Sequence, residues 1–136
     1  MRKIVIDTNC LLMCLPRISP YRRIWDDFLK GRLTFCVTND IIEEYLEILS
    51  QKTNLQIASN VVSVILCQKN VEFVTPYYKM RLIEADEDDN KFVDCAFTAG
   101  ASCIVSNDAH FKILEQIDFP KIQVLKIQDF VTLYRS

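Results

Sequence analysis

The feature that most constrains this chain is a regular succession of short, unbroken apolar runs and longer helix-forming stretches. Five runs read as strands: Lys3-Ile4-Val5-Ile6, Leu33-Thr34-Phe35-Cys36-Val37, Val71-Glu72-Phe73-Val74, Ser102-Cys103-Ile104-Val105 and Ile122-Gln123-Val124-Leu125. Most are continuously apolar and not alternating, as strands are when both faces of a sheet are covered. Helical segments separate them, over residues 21–30, 40–51, 55–68, 89–99, 106–116 and 129–134. Thr38-Asn39-Asp40 supplies N-cap candidates for the second, and Asp40 and Glu43 have the spacing of a capping box. The chain's two glycines, Gly31 and Gly100, each stand just past a helical segment, where a helix stop belongs. The pattern predicts one domain over residues 1–136, a three-layer α/β/α fold around a central, mostly parallel sheet of about five strands. At 136 residues such a domain buries roughly 65–70% of the surface its unfolded chain exposes.

Composition then narrows the chemistry. Two distant glycines cannot form a phosphate-cradling loop or a dinucleotide fingerprint. A single histidine, His110, excludes two-histidine zinc sites, and its place just beyond Asp108 reads as helix surface. The six cysteines include no C-x-x-C pair and have apolar neighbours, so they read as buried, reduced thiols. Asp7 and Asn9 interrupt the apolar run behind Arg2-Lys3, which argues against a signal peptide. No apolar stretch approaches membrane-spanning length, and a cytoplasmic protein is expected. Carboxylate is what remains in quantity: 18 Asp and Glu against 16 Lys and Arg, for a net charge of −2. Residues 1–32 are basic and the rest is acidic. That imbalance suits either a polyanion held beside a metal site or a solvated helix surface.

Doubly wound sheets place their sites at the carboxyl ends of the strands. Asp7 ends the first strand and Asp108 follows the fourth; each alone also reads as an ordinary helix N-cap. Asp89 opens the fourth helix on the face shared with Phe92 and Ala96, toward the sheet, whereas Asp94 falls on the polar side with Lys91 and Thr98. Glu44 borders the apolar face formed by Ile41, Tyr45 and Leu49. Together Asp7, Glu44, Asp89 and Asp108 would converge at one sheet edge, and like charges that close need a counter-charge. A hard divalent cation, Mg²⁺ or Mn²⁺, supplies one, and it can activate water and neutralise charge on a phosphodiester.

Several segments together resemble the PIN-domain family. They are Ile4-Val5-Ile6-Asp7-Thr8-Asn9, Glu44 in a mid-chain helix, Asp88-Asp89-Asn90-Lys91-Phe92 running to Ala99-Gly100-Ala101, and the apolar strand closing on Ser106-Asn107-Asp108. The likeness spans essentially the whole chain and is nearest to the toxin-like bacterial branch. It implies a Mg²⁺- or Mn²⁺-dependent endoribonuclease, often the toxin of a toxin–antitoxin pair and often a homodimer, with RNA as substrate and an antitoxin protein as partner. Carried over, Asp7, Asp89 and Asp108 would be metal ligands, Glu44 would complete the catalytic set, and Asn9 and Ser106 would be polar support. Asp86, Asp88 and Asp94 compete with Asp89 for its place. Two alternatives stand beside this reading. One is a phospho-receiver, which lacks an acceptor Asp after Val71–Val74 but has Lys126 after the last strand. The other is a catalytically silent PIN-like domain that binds RNA or a partner protein.

Overall fold

The structure, a computed structural model, describes residues 2–77, 81, 83, 89–118 and 121–134. Five strands, β1 (Arg2–Ile6), β2 (Leu33–Val37), β3 (Val71–Phe73), β4 (Cys103–Val105) and β5 (Val124–Leu125), form one sheet in the order β3-β2-β1-β4-β5. Every pairing is parallel, with Ile4 opposite both Phe35 and Cys103 and Ile6 opposite Val105. The helices are α1 (Thr8–Cys14), α2 (Arg22–Leu29), α3 (Asn39–Lys52), α4 (Leu55–Cys67), α5 (Asn90–Ala99) and α6 (Ile127–Leu133), with a 3₁₀ helix over Ala109–Gln116. All of β2 and the last three residues of β1 are buried. Since successive strand residues point to opposite faces, that burial requires a layer on each side, and the expected three-layer architecture is the one observed.

Aromatic packing fixes the layers. Phe28 of α2 stacks on Phe35 of β2 at 4.1 Å between ring centroids, with Trp25 beside both. Phe92 of α5 meets Phe111 of the 3₁₀ helix edge-on, tying together two elements that border the sheet's carboxyl edge.

The sequence pattern missed α1, a helix of seven residues whose Asp7 cap is its main signal. The capping box at Asp40 does not form. Thr38 caps α3 by accepting from the Ile41 amide at 3.2 Å, and Asp40 lies in the first turn. The last helix begins earlier than its composition suggests, because Asn107 Oδ1 accepts the Ile127 amide at 3.0 Å.

Both glycines act as helix stops. Gly100 is left-handed at φ 65°, its amide bonding the Phe97 carbonyl at 3.3 Å while the Ala101 amide bonds that of Ala96 at 3.0 Å. This double return closes the last turn. A Cβ at Gly100 would meet nothing within 4 Å, so the strain of Gly100→Ala is in the backbone alone. A loss of about 1–2 kcal/mol is expected in urea denaturation, with activity unchanged.

Five cysteines are buried as expected, but Cys67 at the end of α4 is exposed. Burial pushes the thiols of Cys14 and Cys36 up to about 12 and that of Cys103 up to about 11, which keeps them protonated. The basic residues of the first segment are largely engaged in structure. Arg22 pairs with Asp26, Arg23 and Arg32 approach buried Asp27, Lys3 pairs with Glu72, and the Arg2 and Arg23 guanidinium groups lie over the Tyr134 ring. Arg2 also begins the strand that Asp7 follows, about 16 Å away at strand rise. Local packing accounts for this charge better than a polyanion beside Asp7. Among the described residues, no helix is long and apolar enough to cross a membrane.

Candidate metal centre

Asp7 follows β1 directly, and its amide bonds the Val105 carbonyl at 3.0 Å, locking the ends of β1 and β4 together. One carboxylate oxygen caps α1 by accepting the Cys10 amide at 2.8 Å. The other accepts the Ser106 hydroxyl, whose oxygen in turn accepts the Asp108 amide at 3.0 Å. Ser106 therefore links two acids that lie at the ends of adjacent strands. Burial raises the Asp7 carboxyl above its ordinary range. The hydrogen bonds from Ser106 and Cys10 pull it partly back, and the Asp108 charge pushes it up again.

Asp89 stands at the N-cap position of α5 without a side-chain capping bond, and the start of that helix is fixed by Asn90. The buried Asn90 side chain accepts the Ile83 amide at 2.9 Å and donates to the Ile83 carbonyl at 2.8 Å. Asp108 caps the 3₁₀ helix, accepting the His110 amide at 2.9 Å. The His110 ring closes the group: its Nδ1 lies 3.3 Å from Asp89 Oδ2 and 3.4 Å from Asp108 Oδ1. Single donor atoms of Asp89, Asp108 and His110 all lie within 4.8 Å of one another. Asp89 and Asp108 thus converge as expected, with Asp7 attached through Ser106. His110, read from sequence as helix surface, faces both acids. The available signal was its position two residues past a capping Asp.

Glu44 reaches the rim by a different route. Tyr45, fully buried in α3, donates its hydroxyl to the Ile6 carbonyl and so fixes this turn of the helix beside Asp7. Glu44 then accepts the Thr8 hydroxyl on one oxygen and Lys91 Nζ at 2.9 Å on the other. It does not join the three-donor cluster. Asn9 is exposed in the first turn of α1. Asp94 contradicts its expected solvated position, being only 7% exposed. Helix α5 packs against β1, β2, β4 and α3, so most of its circumference is covered and Asp94 is buried while Thr98, expected on the same face, stays exposed. Asp94 lines a cavity of about 190 Å³ with Thr38, Asp40, Thr75 and Lys91. Asp86 and Asp88 lie outside the described residues.

The donor set suits a small divalent cation. It offers carboxylate oxygens from Asp89 and Asp108, an imidazole nitrogen, and the carboxylate of Asp7 behind Ser106. No thiol takes part, since burial holds the neighbouring Cys10 protonated.

The sequence matches the family model described as PIN domain over residues 3–110. No curated protein is similar enough in sequence to count as a relative. Among solved structures, the fold is similar to a chain in the crystal structure of VapBC2 from Rickettsia felis bound to a DNA fragment from their promoter. The TM-score is 0.62 at 14% identity, covering 91% of this chain and 98% of that one. With the family model spanning most of its length and the parallel five-stranded fold in place, the chain belongs to the PIN-domain family.

Proposed function

We propose that this PIN domain is a Mg²⁺- or Mn²⁺-dependent endoribonuclease, the toxin of a toxin–antitoxin pair, acting as a cytoplasmic homodimer. The observation that carries the reading is the meeting of Asp89, Asp108 and His110 within 4.8 Å at the carboxyl edge of a parallel sheet, with Asp7 joined to Asp108 through Ser106. Asp7, Asp89 and Asp108 would hold the ion. When bound, it supplies an acidified water as nucleophile and neutralises charge developing on the phosphodiester.

The chain's own residues supply the rest. Ser106 holds the Asp7 carboxylate in a fixed orientation while leaving Asp108 turned toward Asp89. Glu44 holds Lys91 at the rim, so the catalytic acid inferred from resemblance also orders a cation beside the substrate path. Lys112 and Lys126 line a cavity of about 140 Å³ with Ser106 and Asp108, and positive charge beside the acids supports the binding of an RNA backbone there. Support for a protein partner comes from the fold's likeness to a chain of the VapBC2 assembly. Family membership leaves the phospho-receiver alternative without support.

Purified protein is expected to cut single-stranded RNA with Mg²⁺ or Mn²⁺, to stop on chelation and to resume when the ion is restored. Ion at about 100 times its dissociation constant is expected to stabilise the fold by about 2.7 kcal/mol, read as a rise of several degrees in melting temperature. RNA bound but left intact with either ion would assign the domain to the silent, binding-only alternative.

A further inference from the structure

We propose that His110 is a nitrogen ligand to the ion and that it biases the centre toward Mn²⁺ over Mg²⁺. The proposal rests on the metal-centre reading above and specifies which ion that centre selects.

Three features of His110 carry it. First, the residue is anchored. Its amide is bonded by Asp108 Oδ1 at 2.9 Å, in the first turn of the 3₁₀ helix, so the ring leaves the backbone from a fixed point. Second, the ring nitrogen is shared almost evenly between two carboxylates, 3.3 Å from Asp89 and 3.4 Å from Asp108. A charge-assisted hydrogen bond to either partner would settle at about 2.7–2.9 Å. The contact to Asp89 is a hydrogen bond at 3.3 Å, longer than such a pair, and Asp108 stands almost as near. The ring's bond to neither partner is short, and an ion between the three can replace it. Third, the spacing is of the size an ion requires. Adjacent ligand atoms around an octahedral ion at about 2.1 Å stand about 3 Å apart.

Ligand chemistry then sets the preference. Mg²⁺ takes oxygen ligands and gives up water reluctantly, so an imidazole nitrogen adds little to its binding. First-row transition ions accept imidazole alongside carboxylate, and Mn²⁺ is the member of that series most at home with oxygen. Two carboxylates and one imidazole, with a third carboxylate behind Ser106, therefore fit Mn²⁺ better than a purely carboxylate site would.

Pulsed electron paramagnetic resonance on the Mn²⁺-loaded protein reads the ligand directly. Coupling to a ¹⁴N nucleus is expected in the wild type and is expected to vanish in His110→Ala. Calorimetric titration should show the substitution weakening Mn²⁺ about tenfold while changing Mg²⁺ less than about twofold. His110 is exposed, and a circular dichroism melt of both proteins is expected to show the same fold. Bound Mn²⁺ without ¹⁴N coupling, or equal weakening of both ions, would overturn the role of His110 and leave the nuclease reading standing. A wild type that binds Mg²⁺ but not Mn²⁺ would overturn the role of His110 alone, and one that binds neither ion would overturn both.

Discussion

Replacing Asp7 by Asn is expected to lower metal-dependent RNA cleavage by about 100-fold or more while leaving the fold as stable as before, or more stable. The activity loss follows from removing a charged oxygen from the proposed metal centre, whose counter-charge would be the ion. The stability gain follows from where Asp7 sits. It is 7% exposed, and its carboxyl is raised first by burial and further by the charge of Asp108. A carboxylate whose folded pKa lies above its unfolded value is held less favourably in the fold when ionised. The resulting penalty is fully present above the folded pKa and disappears as pH falls below the unfolded value. Asn keeps the cap, since it ranks with Asp at that position and its oxygen can still accept the Cys10 amide. Metal-free melts should therefore place the Asp7→Asn variant at or above wild type near neutral pH, with the gap closing as the solution is acidified through the Asp7 pKa. Saturating Mn²⁺ should reverse the order, because only the wild type keeps its full ligand set. A variant that cuts RNA as fast as wild type would remove Asp7 from the chemistry.

Phe35→Ala is expected to give the largest loss of stability, about 3–5 kcal/mol. Phe35 is fully buried, stacks on Phe28 at 4.1 Å and has Trp25 within 6.4 Å. The cavity would open between α2 and β2, and the aromatic stacking lost with it is worth about 0.5–1.5 kcal/mol more. Against a total of about 5–15 kcal/mol, such a loss leaves a marginal fold. A urea midpoint lowered by more than about 1 M, with an unchanged slope, is the expected reading. Because β2 pairs with β1 along the register Ile4 to Phe35, residual activity should track the folded fraction and not fall independently.

The strands were legible because burial on both faces leaves no alternative to continuous apolar runs, and β1 and β2 are such runs. Asp7, directly after β1, and Asp108, three residues past the end of β4, were legible for the same reason: the loop that leaves such a strand stands at the sheet edge by topology. The errors came where tertiary packing overrides periodicity. A helical wheel assumes one open face, and α5 has almost none, so Asp94 is buried where the wheel placed it in water. Of the N-cap candidates Thr38, Asn39 and Asp40, Thr38 is the one used, because the chain turns into α3 there, a backbone event that composition does not encode. His110 was read as helix surface because its meeting with Asp89, 21 positions away and across two elements, is set by the fold alone. Glu44 was expected to converge with the three aspartates; it lies instead against Thr8 and Lys91, which belong to helices whose orientation only the fold sets.

The hydrogen bond between Ser106 and Asp7 joins residues 99 positions apart, across the central β1 and β4 pairing. A contact between residues so distant in sequence is slow to form, because the intervening chain must first be brought round. During synthesis, a chain extended only through β3 carries Asp7 and Glu44 but neither Asp89 nor Asp108. The proposed centre therefore cannot assemble on a partial chain, and its chemistry begins only once the fourth strand has taken its place beside the first. For an enzyme proposed to cut RNA, the order of synthesis itself delays activity until the fold is nearly whole.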